Sequence, residues 1–175
     1  KSFLTMLQKM VSDNARDKKL QTSKLLQLKL ADAVSRILVQ KHDFKTLESF
    51  LAAKLRDFRK EKVFTKVNHE SYLKMLTYLV NASFKNKKFP QSLEYTHELA
   101  AAMEAFDRAY YEKYFVFYTN SLVINYSVVD QDKAIHLLED LKKSKMRSKL
   151  AFYEIFMYLN LALLYFEKKD FDKSI

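Results

Sequence analysis

The stretch Asn160-Leu-Ala-Leu-Leu-Tyr-Phe-Glu-Lys-Lys-Asp-Phe-Asp-Lys-Ser-Ile175 decides the predicted fold. It has the pattern of a helix that ends in a short polar turn and is followed by the first residues of a second helix. Weaker copies occur upstream, at Phe84 to Leu93 and at Tyr126 to Ile135. A recurring pair of helices predicts an all-α fold of stacked helical hairpins, an α-solenoid. Because the phrase stops inside a hairpin, we expect the chain to be part of a longer protein whose last repeat is truncated at the C-terminus.

The chain contains no glycine, and this absence favours helices over sheets. Tight β-hairpins and many bulges need residues with positive φ, which glycine adopts at the least cost. Helices joined by short polar turns are expected to need no such residue. The absence of glycine also excludes phosphate-binding loops, dinucleotide fingerprints and the G-x-S-x-G elbow. The absence of cysteine excludes disulfides, thiolate zinc sites, iron–sulfur clusters and cysteine nucleophiles.

The predicted turns recur about every 40 residues, which is typical of a solenoid and not of a coiled coil. We therefore predict one domain over residues 1–175, with repeats at about 23–62, 68–107, 109–146 and, incompletely, 148–175. A phenylalanine stands beside three of the four turns, where we expect it to pack on the preceding helix. The turns are Lys41-His-Asp-Phe-Lys45, Asn86-Lys-Lys-Phe-Pro90, Val129-Asp-Gln-Asp-Lys133 and Lys168-Lys-Asp-Phe-Asp172.

The segment Leu161-Ala-x-x-Tyr165, followed by Asp170-Phe-x-Lys-Ser-Ile175, resembles a tetratricopeptide repeat. The resemblance implies a right-handed solenoid in which a small residue on the first helix of each hairpin receives the second helix. It implies packing roles for Leu161, Ala162, Tyr165, Phe171 and Ser174, and upstream for Phe84, Tyr126 and Ala134. The period of this chain is longer than the 34 residues usual in that family.

In tetratricopeptide-like solenoids the first helices of the hairpins face a concave groove that holds peptides. The resemblance therefore implies a groove in this chain. The groove residues that it suggests are Tyr78, Asn81, Tyr114, Phe117, Asn120 and Asn160. For the aromatic run around Tyr114 the first interpretation is a core helix contacted on both flanks by neighbouring repeats, and a groove lined by Tyr114, Phe117 and Asn120 is the alternative. Asn160 matches one position of the family's carboxylate clamp, but Phe156 and Leu159 stand where that clamp needs basic residues.

The function predicted from these patterns is a non-enzymatic scaffold that binds a protein or peptide. One alternative is a sensor or regulatory module fused to a DNA-binding or kinase effector outside this sequence. No nucleophile, metal site or cofactor site is predicted. The four histidines are isolated, and the pair Glu94 and Glu98 is typical of solvated charge on a helix.

A second alternative, nucleic-acid binding, rests on the charge distribution. The net charge is +10, and residues 1–62 hold 15 Lys and Arg against 7 Asp and Glu. Basic residues cluster at the predicted C-terminal ends of helices, where cations complement the helix dipole without any ligand. The clusters are Lys54, Arg56, Arg59, Lys60 and Lys62; Lys85, Lys87 and Lys88; and Lys142, Lys143, Lys145, Arg147 and Lys149.

Leu150 to Phe166 is the most apolar segment, but it is shorter than the roughly 20 residues that span a bilayer and it contains Glu154. We therefore predict no membrane insertion. The sequence has no signal-peptide pattern at its start, and we expect a cytoplasmic location. The apolar end faces of a severed solenoid are expected to allow homo-oligomers.

Overall fold

The computed structural model describes residues 22–143 and 151–174, together with Thr5, Met6, Lys9 and Asp13. Within these ranges the chain is mostly helical and forms no strand, which confirms the predicted all-α class. In chain order the helices are α1 Lys24–Gln40, α2 Phe44–Lys60, a 3₁₀ turn at Lys66–Asn68, α3 His69–Lys85, α4 Phe89–Met103, α5 Tyr111–Val129, α6 Gln131–Lys143, α7 Ala151–Glu167 and α8 Phe171–Ser174.

All four predicted turns are confirmed as breaks between helices. Residues 41–43 join α1 to α2, and residues 86–88 join α3 to α4. Asp130 alone separates α5 from α6, and residues 168–170 join α7 to α8. The single proline, Pro90, lies in the first turn of α4, where its missing N–H costs no helical hydrogen bond.

Four helices end in a residue with positive φ, although the chain has no glycine. His42, Lys62, Lys87 and Lys169 have φ values of 56°, 50°, 61° and 61°. In the first case the N–H groups of His42 and Asp43 donate to the carbonyls of Val39 and Leu38, both at 3.0 Å. The other three ends repeat this pattern, which is the Schellman motif. The expectation that these turns need no positive-φ residue is therefore wrong, because lysine or histidine takes the place usually held by glycine.

The phenylalanine that follows a turn packs back on the helix before it. The rings of Phe84 and Phe89 meet edge to face with centroids 5.3 Å apart, and those of Phe166 and Phe171 do so at 5.6 Å. In both cases the two rings are five positions apart, so the pair closes over the positive-φ residue. The predicted packing is therefore confirmed at two of the three turns; at the first turn the Phe44 ring meets that of His42, within the turn, at 6.1 Å.

Aspartate side chains cap the helices that follow two of the turns. Asp43 accepts a hydrogen bond from the N–H of Thr46 at 3.1 Å, and Asp130 accepts one from the N–H of Lys133 at 3.2 Å. These hydrogen bonds lower the pKa of both carboxyl groups below the ordinary value. Asn68 immediately precedes α3, but its side chain does not cap that helix; it accepts from the N–H of Thr65 at 2.7 Å and holds the preceding loop.

The chain divides into two compact units, Lys1–Tyr111 and Glu112–Ile175. In the first unit α3 packs against α1, α2 and α4. The hydroxyl of Ser92 on α4 donates to the carbonyl of Val80 on α3 at 3.0 Å, so a small residue marks the close approach of the two helices. The fully buried leucines of this unit are Leu47, Leu51, Leu73, Leu76, Leu79 and Leu99.

In the second unit α7 packs against α6 and α8. Its core contains Val123 from α5, Leu138 from α6 and Met157 from α7, none of them more than 1% exposed. Ala134 is also fully buried.

A left-handed turn follows α4 in the first unit. Phe106, Asp107 and Arg108 have successive φ values of 55°, 59° and 60°. Such a conformation costs about 1–2 kcal/mol per residue without glycine. The buried imidazole of His69 lies against the Phe106 ring at 4.8 Å, and the Arg108 guanidinium lies 3.8 Å from the centre of the Tyr111 ring. These side-chain contacts hold the turn in place.

The positive-φ lysines predict a gain in stability on substitution by glycine. Lys87→Gly removes a backbone penalty of about 1–2 kcal/mol and costs about 0.5–1 kcal/mol in unfolded-chain entropy. We expect the free energy of unfolding to rise by about 0.5–1 kcal/mol, measured by urea denaturation followed by circular dichroism.

Lys85→Gly is the matched control. Lys85 is the last residue of α3, so this variant replaces a helix-forming residue by glycine. It should lower the free energy of unfolding by about 0.5–1 kcal/mol. An equal loss in both variants would contradict the left-handed assignment of Lys87.

Candidate functional site

An open cleft lies between α1 and α3 in the first unit. It has about 360 Å³ of empty space, its open mouth included. Residues at i, i+4 and i+7 of one helix share a face, so each helix presents one row of side chains to the cleft. The lining residues are Leu28, Lys29, Asp32 and Ser35 from α1, and Ser71, Lys74, Met75 and Tyr78 from α3.

Asp32 is the centre of a hydrogen-bond network that joins the two helices. The hydroxyl of Tyr78 on α3 donates to its Oδ1 at 3.2 Å. On the other side, Nε of Arg36 donates to its Oδ2 at 3.1 Å. The carboxylate therefore fixes the position of a tyrosine ring and of a guanidinium at the cleft wall.

The electrostatics of this network favour a protonated tyrosine and a charged arginine. Burial raises the pKa of Tyr78 above its ordinary value, and the negative charge of Asp32 raises it further. The hydrogen bond to Asp32 and its charge raise the pKa of Arg36. The Tyr78 hydroxyl therefore remains a hydrogen-bond donor throughout the neutral range.

The floor of the cleft is apolar and its rim is basic. Leu28 and Met75 are buried, with 2% and 4% of their surface exposed. Lys29 is exposed at the rim, and the ammonium of Lys74 lies 3.4 Å from the Glu70 carboxylate on its own helix. An apolar floor with a few converging polar groups is the usual composition of a ligand-binding site.

Two of the six suggested groove residues, Tyr78 and Asn81, lie in the first unit. Tyr78 lines the cleft, and Asn81 lies half-buried one turn further along α3. The sequence did not single out Lys29, Asp32, Ser71 or Lys74. The spacing of Asp32 and Arg36 was a detectable signal for an ion pair, but the contact with Tyr78 joins positions 46 residues apart.

The other four suggested groove residues belong to the second unit. Tyr114 is buried, with 7% of its surface exposed, so its ring contributes to packing. Phe117 and Asn120 are half-buried on the same helix. The amide of Asn160 donates to the carbonyl of Phe156 at 2.7 Å, one turn back on α7.

The residues suggested for repeat packing differ in their burial. Leu161 is buried, and Ala162 and Tyr126 are half-buried. The hydroxyl of Tyr165 lies 3.5 Å from the Glu139 carboxylate, and burial together with that charge raises its pKa. Phe171 is 52% exposed despite its contact with Phe166, and the Ser174 hydroxyl donates to the carbonyl of Phe171 at 2.9 Å.

Several residues of the basic clusters form ion pairs with acidic residues of other helices. Lys88 lies 3.0 Å from Glu48, which is 9% exposed, and Arg59 pairs with Glu98. Lys142 pairs with Glu139 on its own helix at 3.8 Å. Lys145, Arg147 and Lys149 lie outside the described residues. Nucleic-acid binding stays a prediction, with fewer unpaired cations available to it than the sequence indicated.

Among the described residues, no three His, Asp or Glu side chains are grouped so that they could hold a metal ion. None of the helices found there has both the length and the apolar character to cross a membrane.

The raised pKa of Tyr78 predicts a dependence of stability on alkaline pH. At neutral pH, Tyr78→Phe should lower the free energy of unfolding by about 1 kcal/mol, since a hydrogen bond is lost. The contribution of a raised pKa is complete below the ordinary tyrosine value of 10.0 and is lost as the pH rises through the folded-state value. In urea melts, the difference in the free energy of unfolding between the two proteins should therefore shrink as the pH rises above 10.0.

Tyr126→Phe is the control for this measurement, because no hydrogen bond from the Tyr126 hydroxyl to a carboxylate is seen among the described residues. At neutral pH it should lower the free energy of unfolding by less than Tyr78→Phe does. A constant difference for Tyr78→Phe would contradict the proposed link with Asp32.

The burial of Tyr114 predicts a large loss of stability in Tyr114→Ala. Removing a buried aromatic ring costs roughly 3 kcal/mol. Phe117→Ala removes a half-buried ring and should cost less than half as much. Equal effects in urea denaturation would contradict the burial of Tyr114.

Comparisons with protein families, with characterised proteins and with solved structures find no significant match to this chain.

Proposed function

We propose that the chain is a tetratricopeptide-like repeat scaffold that binds an extended segment of a partner protein in the cleft between α1 and α3. The cleft is the observation that carries this proposal. It lies between the first helices of two successive helix pairs, and these are the helices that line the binding surface in such scaffolds.

Contacts between helix pairs support a repeat about 40 residues long. The amide of Asn86 donates to the carbonyl of Phe44 at 3.0 Å, so one turn contacts the preceding turn 42 residues away. In the second unit, Gln131 donates to Glu167 at 2.8 Å across 36 residues. Such contacts between residues beside successive turns are expected when similar hairpins stack in the same orientation.

The polar groups of the cleft suit the backbone of a peptide. Tyr78 and Ser71 carry hydroxyls and Asn81 carries an amide on one side of α3, where they can bond the N–H and C=O groups of an extended segment. Leu28 and Met75 provide an apolar floor for one of its side chains. A helical scaffold with these elements matches a known mode of peptide recognition.

The charge of the rim favours an acidic peptide. Arg36 is paired with Asp32 and Lys74 with Glu70, so the exposed Lys29 supplies the net positive charge of the rim. The net charge of +10 adds a long-range attraction for acidic partners. We therefore expect peptides with Asp or Glu next to an apolar residue to bind most tightly.

A peptide-display library panned against the whole chain tests this function. Enriched peptides are synthesised, and their dissociation constants are measured by fluorescence anisotropy. Tyr78→Ala and Asn81→Ala should each weaken binding by about tenfold, as central contacts in an interface do.

Tyr95→Ala is the matched control, since Tyr95 is a half-buried tyrosine on α4 that does not line the cleft. It should leave the affinity unchanged. The proposal fails if no peptide is enriched, or if the enriched peptides bind the Tyr78→Ala and Asn81→Ala double variant as tightly as the wild type.

A further inference from the structure

The cleft between α1 and α3 leads to an edge where two turns meet. Asp32 on α1 accepts from the hydroxyl of Tyr78 on α3, and further along the carbonyl of Phe44 accepts from the amide of Asn86. Both contacts join positions a little more than 40 residues apart, so α1 and α3 run in the same direction. The two helices therefore end at the same end of the cleft, and the turns that follow them are neighbours there.

Four exposed lysines lie on this edge, because the turns bring together positions that are distant in the sequence. We call them the basic edge, and they are Lys41, Lys45, Lys85 and Lys87. Among the described residues, no carboxylate forms an ion pair with any of the four. Two acidic residues near the turns are already engaged, since Glu48 is paired with Lys88 at 3.0 Å and Asp43 caps the N–H of Thr46. The edge therefore has an excess of positive charge.

The helix dipole explains the position of only two of these lysines. Lys41 and Lys85 lie at the C-terminal ends of α1 and α3, where a cation is favoured. Lys45 lies in the first turn of α2 and Lys87 just before α4, where the positive end of the dipole disfavours a cation. Neither of these two helices has an acidic residue in its first turn. Departures from a local rule of this kind are expected where a surface has a binding role.

Lys85 lies on the side of α3 that faces the cleft. Ser71, Tyr78 and Lys85 are spaced by seven residues, so they form one line along the helix and are about 10 Å apart. Asn81 lies between Tyr78 and Lys85, within one turn of each. A segment that contacts Tyr78 and Asn81 therefore meets Lys85 next.

We propose that the basic edge binds a second acidic residue of the peptide that occupies the cleft. This inference rests on the proposed function, in which a first acidic residue lies beside the exposed Lys29 and an apolar residue lies on the floor. Met75, in the floor, precedes Lys85 by ten residues, which is about 15 Å along α3. An extended chain rises by about 3.3 Å per residue, so the second acidic residue lies four or five positions from the apolar one.

A series of labelled peptides tests this spacing. Each peptide has twelve residues, with one leucine, one glutamate next to it, a second glutamate two to eight positions away on either side, and serine elsewhere. Their dissociation constants for the whole chain are measured by fluorescence anisotropy. The affinity should be highest when the second glutamate is four or five positions from the leucine on one side. The gain over the peptide with one glutamate should be about threefold, as for an exposed ion pair, and should disappear in 1 M salt.

Variants of the basic edge test which lysines give this gain. Lys41→Gln with Lys85→Gln should abolish the gain from the second glutamate and leave the affinity for the peptide with one glutamate almost unchanged. Lys60→Gln with Lys66→Gln is the matched control, since it removes the same charge from two exposed lysines that lie outside the basic edge. This control should retain the gain.

A charge exchange tests the contact with Lys85 itself. Lys85→Glu should bind the best two-glutamate peptide several-fold more weakly than the wild type does. It should bind the peptide with lysine in place of the second glutamate more tightly than the wild type does. Long-range attraction alone would give no such dependence on position.

The outcomes separate this inference from the proposed function. If the peptides bind and Tyr78→Ala weakens them, but the position of the second glutamate has no effect, the second acidic position is wrong and the cleft remains a peptide site. If no peptide of the series binds, the proposed function and this inference both fail. A single-stranded oligonucleotide that binds the wild type more tightly than the best peptide, and loses that affinity in Lys41→Gln with Lys85→Gln, would assign the edge to nucleic acid instead.

Discussion

The structure depends on tight turns at the C-terminal ends of its helices, which this chain forms without glycine. At His42, Lys62, Lys87 and Lys169 the backbone enters the left-handed region, and two hydrogen bonds close back onto the last turn. At three of these ends the next helix begins after only three residues, and at Lys62 a longer loop follows. The aromatic pairs across two of these turns then fix where the next helix begins. The cleft follows from this constraint, because the turns decide which faces of α1 and α3 meet.

Local features of the fold were predictable because their causes lie within a few residues. The four turns follow from short-range patterns, and the structure confirms them. The left-handed lysines were not predictable, since lysine has no preference for that conformation. They adopt it because the Schellman hydrogen bonds and the packing of the next helix outweigh a penalty of about 1–2 kcal/mol.

The candidate site was only partly predictable, because it depends on contacts between distant positions. Tyr78 was singled out, but its partner Asp32 lies 46 residues earlier, and no local pattern links the two. Tyr114 was singled out as a groove residue, but its ring is buried. An aromatic ring at a helical position has the same pattern whether it faces a groove or a core, and only the packing of its neighbours decides that it is buried.

The left-handed turn at Phe106, Asp107 and Arg108 has a consequence for folding. Three successive residues in this conformation store several kcal/mol of local strain, and it is offset by contacts with His69 and Tyr111. The turn therefore has no tendency to form alone and closes only after α3 and α4 have packed. In the native protein, local unfolding should begin at this turn. The turn should therefore open at a lower free energy than the global unfolding of the helices against which it packs.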